Sequence, residues 1–188
     1  MSRYKILVVD DEPIIRMDLT EILQREGYEV VAEAKNGEEA VELAYRHKPD
    51  LVIMDVKMPV MNGIKAADII RKFSHTSILL LTAYSHRELI QEARQSGVTA
   101  YLVKPVSEED LIPAIEIALS QRDRVSSLQQ DIEDLKQKME ERKIVERAKG
   151  KLMSTLQLGE EEAYKWLQRQ SMESRVSMAK LAQELLNA

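Results

Sequence analysis

The sequence contains no cysteine, which removes disulfide frameworks, thiolate metal centres and cysteine nucleophiles and favours a reducing compartment. Nor does it hold a long apolar run. Met1-Ser2-Arg3 leads straight into a short strand-like segment without the apolar core of a signal peptide, and no later stretch reaches membrane-spanning length, so a cytoplasmic protein without a membrane partner is expected. Positive charge is also short overall. The formal net charge of −5 makes no whole-chain case for nucleic acid. The three histidines, His47, His75 and His86, lack the spacing of a shared metal site and read as solvated surface. No low-complexity segment and no internal repeat beyond a βα alternation is found. At 188 residues there is room for one compact domain and a smaller appendage.

What is present is strongly ordered along the chain. Five β-rich runs, KILVV (5–9), EVVAE (29–33), LVIM (51–54), SILLL (77–81) and TAYLV (99–103), are each followed by residues of helical period. Several are apolar almost throughout, as strands covered on both faces must be, so the pattern predicts an α/β fold with a five-stranded parallel sheet. Gly27, Asn36-Gly37, Pro49, Gly63, Gly97 and Pro105 fall between these elements. After Ser107 the period stays helical until about Gly150, and Ala118, Gln121, Val125, Leu128, Ile132, Leu135 and Met139 alternate three and four apart. That is the seam of a coiled coil and implies a homodimer; packing of the same face onto the rest of the chain is the alternative. Short helices follow at Lys143–Ser154, Gly159–Gln170 and Ser177–Leu186. The chain thus divides into segments 1–120, 121–142 and 143–188, the last a small three-helix unit.

Charge divides with it. Residues 1–120 carry 14 Lys and Arg against 20 Asp and Glu, whereas 121–188 carry 13 against 12, and Arg142 to Lys151 holds five basic residues and one Glu. A local basic face therefore sits inside an acidic protein.

Chemistry-bearing residues gather at strand ends: Asp10 and Asp11 after the first, Asp55 at the third, Thr82 at the fourth and Lys104 at the fifth. In an open parallel sheet these ends converge on one crevice. Three close carboxylates repel unless a divalent cation neutralises them, and oxygen-only ligands suit Mg²⁺, which leaves positions for phosphate oxygens. An ammonium and a hydroxyl can hold the remaining phosphoryl oxygens, and a carboxylate can be the nucleophile that forms an acyl phosphate. Taken singly, an Asp at a strand end is a turn or capping residue, Thr82 a β-branched strand residue and Tyr101 a core aromatic. A metal-dependent phosphatase would need a further acid or base, and none is obvious beside Lys104-Pro105.

The runs D-D-E-P, D-V-K-M-P-x-M-x-G, L-T-A and Y-L-V-K-P, in this order and context, resemble the receiver domain of two-component response regulators over residues 3 to about 120. The resemblance implies a flavodoxin-like (βα)5 fold. It also implies Asp55 as phosphoacceptor, Mg²⁺ held by Asp10, Asp11, Asp55 and the Lys57 carbonyl, and Lys104 on the phosphoryl group. Thr82 and Tyr101 would be the switch pair, and a sensor histidine kinase the phosphodonor. By this resemblance the protein receives a phosphoryl group and is not a turnover enzyme.

For the tail, a DNA-binding helix-turn-helix is poorly supported, because SMAKLAQELLNA is mostly apolar and carries one basic residue. A protein-interaction output is the other alternative. The runs E-R-K-I-V-E-R-A-K-G-K-L-M, L-G-E-E-E-A-Y-K-W-L-Q-R-Q-S-M and M-A-K-L-A resemble the ANTAR domain of AmiR- and NasR-type transcription antitermination regulators, over about 128–186, and within them the ethanolamine-utilisation type. That resemblance implies phosphorylation-dependent dimerisation and binding of tandem RNA stem-loops that prevents transcription termination. Arg142, Arg147, Lys149 and Lys151 are then candidates to neutralise phosphates, Gly150 to admit close backbone approach, Tyr164 to stack on a loop base and Arg169 to read or clamp a guanine. Equally, Tyr164, Trp166 and Leu167 can be core, and Arg142 and Arg147 can pair with neighbouring acids.

Overall fold

The structure is a computed structural model that describes residues 4–83 and 98–187. The chain forms two compact units, Met1–Ser126 and Ser127–Ala188.

In the first unit, strands β1 (Lys5–Val9), β2 (Glu29–Ala34), β3 (Leu51–Asp55), β4 (Ser77–Thr82) and β5 (Ala100–Val103) pair in parallel in the order β2-β1-β3-β4-β5. Helices α1 (Pro13–Arg25), α2 (Gly37–His47) and α3 (Gly63–Phe73) supply crossovers. The crossover expected between β4 and β5, with His86 and Gly97, lies outside the described residues. Every residue of β3 and β4 is buried, as their unbroken apolar sequences require of central strands. The two-residue period then divides the core. Leu7, Val9, Val52 and Met54 face Ala40, Ala66 and Ile70, whereas Ile6, Val8, Leu51 and Ile53 face Leu19, Leu23, Leu111 and Ile115. The strand order reverses between β1 and β3, so the crevice at their carboxyl ends is open to a ligand.

Local chemistry sets the helix starts. Pro13 opens α1, the Asn36 side chain accepts from the Glu39 amide to cap α2, and the Asn62 side chain accepts from the Lys65 amide to cap α3. Ser107 accepts from the Asp110 amide at the start of helix α4 (Glu108–Leu156).

α4 runs unbroken from Glu108 to Leu156, so Lys143–Ser154 is not the separate short helix that the sequence suggested. Gly150 lies within it because the neighbouring positions carry strong helix formers and a buried face, Ala148 and Leu152, that outweigh one glycine. In the second unit Ala148 and Leu152 pack with Ala163 and Leu167 of α5 (Glu160–Ser174) and Ala182 of α6 (Met178–Asn187), with Ile144, Val145 and Trp166 at the margin. Of the heptad residues, Ala118 is buried in the first unit's core, while Val125, Leu128, Ile132, Leu135 and Met139 are 50–62% exposed. Their apolar face is thus open to solvent.

Candidate functional site

The carboxyl edges of β1 and β3 bring Asp10, Asp11 and Asp55 together, each offering an oxygen within 4.8 Å of the others. Asp10 is wholly buried, Asp55 nearly so, and Asp11 is exposed. Asp10 is fixed on both sides: its Oδ1 accepts from the Glu12 amide at 3.0 Å, and its carbonyl accepts from Arg16 at 2.7 Å. Lys104, just beyond β5, donates to Asp10 Oδ2 at 2.7 Å and lies 3.3 Å from Asp55 Oδ2. Its position is set by the Lys104 amide bonding the Thr82 carbonyl at 2.8 Å.

The electrostatics follow from burial. Desolvation pushes the Asp55 carboxyl above its ordinary value; the Lys104 ammonium opposes this and the Asp10 charge adds to it. Desolvation pulls the Lys104 ammonium down, but the hydrogen bond to Asp10 and the charges of Asp55 and Asp10 together outweigh it and hold it above the usual lysine value. One amine therefore serves two carboxylates while Asp11 stands free to bring in a third oxygen. A compact, oxygen-seeking divalent cation suits this donor set, and such an ion competes directly with the amine for Asp10.

Thr82 is buried at the end of β4, Tyr101 is 44% exposed on β5, and Lys57 is exposed in the loop after β3. Two further contributors escaped the sequence reading. Arg16 lies one turn into α1 and grips the Asp10 backbone. Gly63 lies under Asp55: a Cβ there would stand 2.2 Å from the Asp55 carbonyl oxygen, so the α3 start can approach β3 only without a side chain. The glycine of D-V-K-M-P-x-M-x-G carried that signal, though not its partner.

In the second unit the candidate basic residues separate into two groups. Lys149 is buried and its ammonium bonds Glu146 and Glu160 at 2.8 and 2.9 Å, which holds it above the ordinary lysine value and Glu160 below the ordinary carboxylate value. Lys151 donates to the Leu185 carbonyl near the end of α6 at 2.8 Å. Lys149 thus ties α4 to the start of α5, whereas Lys151, itself exposed, also serves as a carbonyl cap. Arg142, Arg147 and Arg169 remain exposed, with no ion pair among the described residues. Tyr164 is 45% exposed, whereas Trp166 and Leu167 turn into the core. A Cβ on Gly150 would meet nothing within 4 Å, so that surface is open. Lys138, Glu141, Arg142, Glu146, Tyr164 and Ser177 line a recess of about 480 Å³, in which two cations stand beside two carboxylates, one of them already bonded by Lys149.

Among the described residues, no helix is long and apolar enough to cross a membrane.

The parallel sheet with its acidic crevice, followed by a helical unit with an exposed basic surface, defines a class. Residues 6–116 match the response regulator receiver domain and residues 133–186 match the ANTAR domain, and the chain belongs to the response regulators that combine the two. This is a regulatory rather than a catalytic family. The chain is similar to the transcriptional regulatory protein PdtaR of Mycobacterium tuberculosis, 50% identical over 182 residues, which is 97% of this chain and 89% of that protein. It is 39% identical to the chemotaxis protein CheY of Bacillus subtilis over 118 residues, 62% of this chain and 98% of that one. Among solved structures it resembles the NarL receiver domain of M. tuberculosis at a TM-score of 0.62 and 29% identity, covering 64% of this chain and 98% of that one. It also resembles a CheX-CheY complex of Borrelia burgdorferi bound to BeF3 and Mg, at a TM-score of 0.58 and 28% identity, covering 60% of this chain and 86% of that one. The ethanolamine-utilisation subgroup rests on motifs alone.

Proposed function

We propose that the protein is a phosphorylation-controlled RNA-binding regulator in which Asp55 accepts a phosphoryl group from the phosphohistidine of a sensor kinase. One Asp55 oxygen attacks phosphorus, the phosphorus–nitrogen bond breaks, and the imidazole takes up a proton. Asp10, Asp11, Asp55 and the Lys57 carbonyl would hold Mg²⁺, whose charge would offset that of the phosphoryl oxygens. Lys104 moves from the carboxylates to the phosphoryl group, and Thr82 and Tyr101 respond to it. The observation that carries this reading is the junction of three carboxylates and one amine at the strand-order reversal.

In the output, phosphorylation favours dimerisation along the exposed heptad face, and the paired modules hold two RNA stem-loops so that a terminator hairpin does not form. Arg142, Arg147, Lys151 and Arg169 meet phosphate or guanine, Gly150 admits close approach, and Tyr164 stacks on a loop base; Lys149 shapes this surface from behind. The test is capture of bound transcripts from cells by the full chain, with and without acetyl phosphate and Mg²⁺. Phosphodonor should enrich tandem stem-loop RNAs with the native chain and not with Asp55→Asn. Enrichment of DNA or of protein alone would support the competing output.

A further inference from the structure

The exposed face of α4 carries more information than its length. Val125, Ile132 and Met139 occupy the a positions and Leu128, Leu135 and Arg142 the d positions. Branched residues at a with leucine at d favour two parallel strands. In a parallel, in-register pair each g residue meets the e residue five positions later on the other chain. Asp131 then meets Lys136, an attractive pair made twice by symmetry, and Arg124 meets Gln129 without preference. The last step is opposite in character: Lys138 meets Lys143 of the second chain, and Arg142 meets its own copy at d. Each Lys143 also bonds Glu140 of its own chain at 2.6 Å, but this exposed pair offsets little of that repulsion.

This cationic step lies where the apolar seam ends and the RNA module begins. Lys138 and Arg142 also line the recess beside Tyr164. Ile144, Val145, Ala148 and Leu152 have by then turned to the module's own core, and Lys138 and Arg142 belong both to the recess and to the end of the seam.

We propose that the anion site of the RNA module is composite: a parallel dimer sets Lys143 of one chain beside Lys138, Arg142 and Tyr164 of the other, and RNA phosphates relieve the repulsion between them. RNA and dimer are thereby coupled, and by reciprocity RNA tightens the dimer by the same factor by which dimerisation tightens RNA. This rests on the dimeric RNA-binding reading and adds orientation, register and the residues that couple the two events.

The chain's lack of cysteine permits a direct test in the full-length protein with beryllofluoride and Mg²⁺. With copper phenanthroline as oxidant, Leu128→Cys at d should form an intermolecular disulfide and Gln130→Cys, on the outer face, should not; absence of the Leu128 product would overturn the parallel, in-register pairing. Lys138→Glu converts the repulsive step into an attractive one. By sedimentation it should tighten the RNA-free dimer roughly tenfold, the scale expected for two exposed pairs changing sign. It should also abolish the further tightening produced by a two-stem-loop RNA. Lys138→Glu with Lys143→Glu should restore a weak RNA-free dimer. Raising salt from about 50 to 200 mM should strengthen the RNA-free native dimer while weakening RNA binding. A Leu128 disulfide together with unchanged dimerisation in Lys138→Glu overturns the composite site and leaves the dimer standing.

Discussion

Lys104 Nζ lies 2.7 Å from Asp10 Oδ2 and 3.3 Å from Asp55 Oδ2, so the amine leans first on the wholly buried Asp10 and only second on Asp55. A cation held by Asp10 and Asp55 would compete with this amine for the same two carboxylates. Lys104→Met should therefore bind Mg²⁺ more tightly than the native chain while losing most phosphorylation by acetyl phosphate. Without Mg²⁺ it should lose about 2 kcal/mol of stability, because two buried carboxylates are left without their counter-charge. Urea melts with and without Mg²⁺ check this; equal Mg²⁺ dependence in the two proteins would contradict it.

Asp55 is a group whose folded pKa is raised by burial, so its ionisation opposes folding. The cost is absent below the ordinary carboxylate value and develops as pH rises through the folded one. In Mg²⁺-free buffer Asp55→Asn should be more stable than the native chain at neutral pH, and the advantage should vanish towards about pH 3. Acid-labile phosphate after acetyl phosphate treatment should disappear in the same variant. Labelling at the native level would refute the acceptor assignment.

Gly63→Ala forces a methyl group against the Asp55 carbonyl, and backbone on both sides leaves little room to yield. A loss of about 2–3 kcal/mol is expected, with impaired acetyl phosphate labelling because the end of β3 shifts. An unchanged urea midpoint would show that the α3 start can retreat from β3 at no cost.

The second unit contains the chain's lone tryptophan, Trp166, packed against its core, so its emission reports that unit alone. Glu160 has a folded pKa lowered by its hydrogen bond to Lys149; its contribution is present above the ordinary carboxylate value and lost as pH falls through the folded one. Trp166 emission should shift as pH drops below about 4.5, and Glu160→Gln should flatten part of that shift while lowering stability at neutral pH. An identical acid profile in both proteins would mean that the Lys149 pair does not hold α5 to α4.

Much of this was legible from local pattern. Central strands are buried on both faces, so LVIM and SILLL announce themselves by lacking polar residues. Asp10, Asp55, Thr82 and Lys104 could be grouped because a parallel sheet delivers all its strand ends to one edge. The heptad was readable as spacing, and the breaks at Gly159 and Arg175 as turn chemistry. The helix through Gly150 was not, since a glycine's local cost is visible in sequence and the buried face that offsets it is not.

The sequence by itself determined which side chains meet at the acidic edge and where the apolar face of α4 runs, because period and strand direction are properties of the backbone alone. Only the tertiary structure decided which cations remain available. Lys149 finds Glu160 eleven residues away and is buried, whereas Arg142, Arg147 and Lys151 on the same helix stay in solvent. Charge is written in composition, but its neutralisation depends on neighbours that the folded chain supplies.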